Sequence, residues 1–281
     1  MTNALANYAV CISSGKLPIK LPTSGTLIII TFSRYIAIIF TLFASFLKAD
    51  ETQPIQVKFA TDTNYYPFEY ISEDQQIVGF DIDIAKAICK EVKLQCSFKH
   101  HNFNGLLLTL QFGRYDAAIA ALDITSERLE MVDFTNSYYK TAPVFISQQT
   151  ANKGFSLEGK FIGVQANTSN QSYLTRNLKE NSYIVPYFSS AEALADLKQQ
   201  KIDAVFADSA VVTHFLSQQD AQSTLAIQRV EESFLSGFSE GYGIAVRKGN
   251  AKLKQQLNKG LEIILANGIY SKIFQQYFPQ Q

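Results

Sequence analysis

Three charged residues in this chain are placed to grip the two ends of a zwitterion. Arg128 closes the segment Asp123-Ile-Thr-Ser-Glu-Arg128, where Thr125 or Ser126 is a natural helix cap, so the guanidinium falls on the first turn of a short helix. A guanidinium is a rigid fork of donors matched to one carboxylate. Asp208 ends the run Lys201-Ile-Asp-Ala-Val-Phe-Ala-Asp208, and Asp123 follows a similar run, Arg114-Tyr-Asp-Ala-Ala-Ile-Ala-Ala121, by two residues. Either acid is suited to accept from an ammonium. Thr168 and Ser169, inside Asn167-Thr-Ser-Asn170, open another helix, whose free N–H groups favour an anion. A carboxylate site and an ammonium site facing each other describe an α-amino acid. Taken alone, Arg128 reads equally as a surface cation paired with Glu127 or Glu130.

The elements that must position these groups repeat. Ile55–Thr61 reads as a strand, Phe80–Val92 as an amphipathic helix with Asp81 and Asp83 in its first turn, and Gln95–Lys99 as a second strand. A helix over Asn102–Phe112 and a strand over Tyr115–Leu122 follow. Past an extended stretch carrying Pro143, strands at Phe161–Gln165, Tyr183–Phe188 and Ile202–Ala207 alternate with helices at Ser190–Gln200 and Ala210–Gln218. A glycine-rich return over 236–243 leads to a strand, Tyr242–Val246, and two helices, Ala251–Ala266 and Ile269–Phe278. The expected fold is α/β: two doubly wound lobes joined by a hinge of two crossings. Lobe I takes residues 50–142 and 240–281, and lobe II takes 143–239. Ligands in open α/β sheets sit beyond the carboxyl ends of the strands, where Asp123 and Asp208 fall.

Catalytic chemistry is poorly supplied. The 281 residues balance 25 basic against 25 acidic side chains, which gives nucleic acid no basic surface to bind. His100 and His101 are adjacent on a strand and point to opposite faces, so they do not share a metal; His214 sits within an apolar helical run. No nucleophile elbow, zinc-protease or phosphate-loop pattern occurs. Neither a metal nor a cofactor is expected.

Residues 1–49 read as a signal peptide or N-terminal extension. Tyr35–Leu47 has the length of a signal's apolar region behind Lys20 and Arg34, and Leu27–Leu47 could instead anchor the chain in a bilayer. Cys89 and Cys96 lie on a helix and on the strand after it, a corner that can bring them within bridging distance or leave two buried thiols.

With these residues in view, the chain resembles the extracytoplasmic amino-acid-binding proteins of ABC importers, in particular the arginine-binding and lysine/arginine/ornithine-binding group. The resemblance spans about Ile55 to Phe278 and rests on FATDTNYYPFEY (59–70), IVGFDIDIAKAICKE (77–91), AALDITSER (120–128), GVQANTS (163–169), KIDAVFADSAVV (201–212) and YGIAVRKGN (242–250). It implies a periplasmic binding protein fold of type II and an exported monomer delivering its ligand to an inner-membrane ABC permease. By position it implies Arg128 as the clamp on the ligand carboxylate, assisted by the backbone at Thr168 and Ser169, and Asp208 as the acceptor of the α-ammonium. Tyr65 and Phe103 match aromatics that sandwich the ligand side chain, and Asp62 matches an acid that meets its cationic end. Cys89 and Cys96 match a disulfide of close relatives. Histidine-type members carry hydroxyl residues where this chain has Ala121 and Asp123, which favours L-arginine over histidine and leaves lysine and ornithine open. Glu69 could be a second acid in reach of that cationic end, but a solvated strand edge is the stronger expectation. Competing readings are a dehydratase on the same scaffold and a membrane-tethered amino-acid sensor.

Overall fold

The computed structural model describes residues 54–148, 156–178, 181–219, 224–230 and 239–279, all within one compact unit, Pro54–Gln281. The segments expected to serve as a signal or an anchor, Tyr35–Leu47 and Leu27–Leu47, lie outside the described residues. Two five-stranded sheets organise this unit.

The first sheet is built from β1 (Gln56–Thr61), β5 (Gln95–His100), β6 (Ala117–Ala118), β7 (Val132–Phe134) and β13 (Ala245–Arg247), in the order β5-β1-β6-β13-β7. β1 runs parallel to both β5 and β6, whereas β13 is antiparallel to β6 and β7. β1 alternates exposed and buried residues at its start, then is buried throughout Phe59–Thr61, because its carboxyl end runs beneath the functional cleft. Helix α1 (Phe80–Glu91) buries Phe80, Ile82, Ile84, Ala85, Ile88 and Cys89 against this sheet. Cys89 and Cys96 form a disulfide across the predicted helix-to-strand corner, with Cα atoms 6.3 Å apart. α7 (Ala251–Ala266) and α8 (Ile269–Tyr277) pack on the same side as α1.

The second sheet has the order β10-β9-β11-β8-β12, from β8 (Pro143–Gln148), β9 (Phe161–Gln165), β10 (Tyr183–Tyr187), β11 (Ala204–Asp208) and β12 (Leu225–Arg229). β9 is parallel to β10 and β11, and β8 is antiparallel to β11 and β12. Helices α4 (Ser169–Asn177), α5 (Ser190–Lys198) and α6 (Ser209–Ser217) accompany it. α5 approaches β9 closely enough that a Cβ at Gly163 would meet the Ala193 Cβ at 3.2 Å.

Two passages of chain join these bodies, and they pair with each other. Tyr138 N–H donates to the Tyr242 carbonyl (2.9 Å), and Tyr242 N–H donates to the Tyr139 carbonyl (2.8 Å).

Several local expectations change. The strand expected over Tyr115–Leu122 keeps ladder pairing only at Ala117–Ala118, since Ala121 turns to φ 44° and Leu122 bonds instead to Gly243 N–H. The helix expected from Asn102 begins as a 3-10 turn, Phe103–Gly105, before α2 (Leu106–Gln111). β7, β12 and a small sheet of β2 (Asn64–Tyr65), β3 (Glu69–Ile71) and β4 (Ile77–Val78) were not anticipated. All are short, and β12 is an edge with its last three residues exposed, so periodicity carries little signal there.

Candidate functional site

The carboxyl ends of β1, β6, β9 and β11 converge on a narrow cleft with about 330 Å³ of atom-free space, its open mouth included. Among its walls are Asp62, Tyr65, Phe103, Ala121, Asp123, Arg128, Thr168 and Asp208, eight of the nine positions expected to bind ligand. The ninth, Ser169, lines the wider opening beside it.

Arg128 stands on α3 (Ser126–Met131), whose cap is Thr125: its side-chain oxygen accepts from Arg128 N–H at 3.3 Å. The guanidinium Nη1 donates to the Asp123 carbonyl (3.0 Å), and Nη2 reaches across to the Asn167 carbonyl (3.4 Å). It lies 5.5 Å from the centroid of the Phe103 ring. Loss of water lowers the guanidinium from its ordinary value, with the Asp123 charge acting against that shift. No ion pair with Glu127 or Glu130 forms among the described residues.

Asp208 ends β11 and begins α6 without capping it, so its carboxylate is free to turn into the cleft. One oxygen accepts from the hydroxyls of Tyr65 and Tyr242, and the other from Asn170 Nδ2 at 3.3 Å. Asp123 accepts from the Ser169 hydroxyl. Burial and the neighbouring Asp208 charge push Asp123 up to about 6, while Arg128 and Ser169 oppose the rise. Thr168 caps α4, accepting from Gln171 N–H (3.1 Å) and donating to the Gln165 carbonyl (2.7 Å). The bodies therefore meet through Arg128–Asn167, Asp123–Ser169 and Tyr65–Asp208.

The other end of the cleft is acidic. Asp62 accepts from the backbone and side-chain nitrogens of Asn64 at 3.1 and 3.0 Å. Glu69 is the main correction to the sequence reading: it is fully buried and lines the cleft, not a solvated strand edge. β3 is held inward by Gly79, whose φ of 133° brings α1 so near that a Cβ there would sit 2.1 Å from the Phe68 carbonyl oxygen. The same approach buries Asp81, whose Oδ2 accepts from Ala121 N–H at 2.7 Å. As two carboxylates, Glu69 and Asp81 leave three oxygens without a donor. Burial, with the Asp81 and Asp62 charges, pushes Glu69 well above the usual carboxylate range. Burial also pushes Asp81 up to about 7, against the Ala121, Tyr138 and Glu69 hydrogen bonds.

The residues that the sequence did not single out for the site are Asp81, Gln165, Asn170 and Tyr242. Asn170 lay inside a segment singled out for its helix start. Asp81 read as a first-turn acid complementing the helix dipole, and Tyr242 sat in a glycine-rich return whose pairing is non-local.

Two α/β bodies on paired crossings, with a guanidinium and carboxylates facing one another in the cleft between, define a type II periplasmic binding protein. The chain belongs to the bacterial extracellular solute-binding proteins, family 3, which match residues 57–280. It is 41% identical over 226 residues to ABC transporter arginine-binding protein 1 of Escherichia coli (strain K12), covering 80% of this chain and 91% of that one. A Salmonella typhimurium periplasmic binding protein described for high arginine specificity is similar at 34% identity and a TM-score of 0.72, covering 80% of this chain and 99% of that one. An ancestral arginine-binding protein solved with arginine matches at 33% identity and a TM-score of 0.72, over 79% of this chain and 98% of that one.

Proposed function

We propose that this protein captures a cationic L-amino acid, L-arginine before lysine, ornithine or histidine, and delivers it to an ABC permease in the inner membrane. The observation that carries the reading is that Arg128 and Asp208 line one cleft together with two further acids, Asp62 and Glu69. In this reading Arg128 takes the ligand carboxylate, with the α4 start at Thr168 and Ser169 assisting. Asp208 and Asp123 take the ammonium beside Ala121. The side chain lies between Tyr65 and Phe103 with its cationic tip toward Asp62. A cation between aromatic faces gains about 0.5–2 kcal/mol per contact.

Lobe I is 50–142 with 240–281, and lobe II is 143–239; they close on the ligand as one monomer. Ligand entry replaces the Tyr65–Asp208 and Arg128–Asn167 contacts with contacts to the amino acid. The N-terminal segment directs export to the periplasm. In this reading the ligand leaves unchanged.

Titration calorimetry with the twenty common amino acids and ornithine tests this directly. Micromolar or tighter binding of arginine is expected. Absence of heat with arginine, lysine and ornithine would end the cationic reading, and turnover of a cyclic dienyl acid would replace it with an enzyme.

A further inference from the structure

Glu69 is an unusual residue for a binding cleft: a fully buried carboxyl that lines the cavity and has no donor on either oxygen. The charged and titratable groups around it come from every neighbouring element. They are Asp81 on α1, Asp62 at the end of β1, Tyr65 on β2, Tyr138 on the outgoing crossing and Asp208 at the end of β11. All are acids or phenols. Arg128 stands in the same cavity, but its guanidinium donates to the carbonyls of Asp123 and Asn167. Among the described residues no cation or donor reaches Glu69, and Asp81 is itself held by the Ala121 N–H. Placing two bare carboxylates together in a dry site costs more than keeping one proton between them.

We propose that the Glu69–Asp81 pair is a proton-exchange site coupled to occupancy of the cleft: Glu69 holds a proton shared with Asp81 until a cationic ligand side chain reaches it, and then gives that proton to water. This rests on the amino-acid reading above and deepens it. A guanidinium or ammonium within hydrogen-bond reach favours the ionised carboxylate, so the O–H bond of Glu69 breaks and the proton leaves to solvent as the ion pair forms. The cavity exchanges one positive charge for another, and no net charge is buried at this end. A neutral side chain offers no such exchange and leaves the Glu69 proton in place. Binding of a cation that releases a proton weakens as pH falls, because proton and ligand compete for the same carboxylate.

Calorimetry of arginine binding in two buffers of different ionisation enthalpy, between pH 7 and 8, counts the protons. The wild type is expected to release a proton, approaching about one per arginine, and Glu69→Gln is expected to release almost none. Difference infrared spectroscopy gives a second readout that does not require the variant to bind. The band of a protonated carboxylic acid should be present in ligand-free wild type, vanish on adding arginine, and be missing from ligand-free Glu69→Gln. Buffer-independent heats for the wild type, undiminished release by Glu69→Gln, or a carboxylic-acid band that survives arginine would each overturn the proposal. Absence of any arginine binding would instead overturn the transport reading, so the two failures are told apart.

Discussion

At the Arg128 end of the cleft every acid is answered by a donor from another part of the chain: Asp123 by Ser169, and Asp208 by Tyr65, Tyr242 and Asn170. At the Glu69 end two carboxyls lie together, with the Ala121 N–H on Asp81 and, among the described residues, no donor on either Glu69 oxygen. At the first end each acid has its donors without a ligand. The second is complete only when something positive arrives, or when a proton takes its place. The difference separates two tasks. Complementary partners of both signs suit any α-amino acid, whereas uncompensated acid selects among side chains by charge.

The sharpest way to break this comparison is Arg128→Ala. It should abolish binding of every amino acid alike, by several hundredfold or more, since stripping one partner from a desolvated ion pair costs about 3–5 kcal/mol; calorimetry against arginine, lysine and histidine checks it. A variant that lost only arginine would merge the two ends into one. Asp208→Asn keeps an acceptor for the tyrosine hydroxyls and removes the charge, so a loss of about 2 kcal/mol, roughly thirtyfold, is expected for all ligands in the same assay. Removing the Cys89–Cys96 bridge by a double serine change sharpens the contrast from outside. The bridge joins the end of α1 to β5 at the edge away from the cleft and closes a short loop. Thermal unfolding should fall by about 2 kcal/mol of stability while arginine affinity stays unchanged at either end.

The smallest effect concerns pH and the ligand-free protein. Asp81 and Asp123 are raised to about 7 and about 6, so the folded state binds protons that the unfolded chain has released. A raised carboxyl disfavours its charged form, and the stability it permits at low pH is lost as pH rises through the folded value. The melting temperature should therefore rise from pH 8 down to pH 5, with Asp81 contributing on the order of 2 kcal/mol. Scanning calorimetry reads this directly, and Asp81→Asn should flatten the slope.

Much of the Arg128 end was legible in sequence, because helix caps and strand ends are local signals. A cap at Thr125 or Ser126, and Asp208 at the junction of a strand and a helix, follow from residue type and spacing, and the structure puts the cap on Thr125. The Glu69 end was not. In Glu69-Tyr70-Ile71 the acid is buried and the isoleucine is 41% exposed, the reverse of what a hydropathy pattern implies. Sites that violate the polar-outside rule are where such reading fails, and here the violation is the selective half of the site. Phe103 shows a milder version. The helix expected to carry it begins instead as a 3-10 turn, and the centroid of the Phe103 ring lies 5.5 Å from the Arg128 guanidinium carbon.

The pairing of Tyr242 with the backbone of Tyr138 and Tyr139 places the pivot of the molecule beside Asp208, since the Tyr242 hydroxyl bonds that carboxylate. Rotation about a fixed axis displaces nearby atoms least and distant atoms most. Opening should therefore disturb the Asp208 junction, held by a hydroxyl of the crossing itself, less than contacts that lie farther from the crossing.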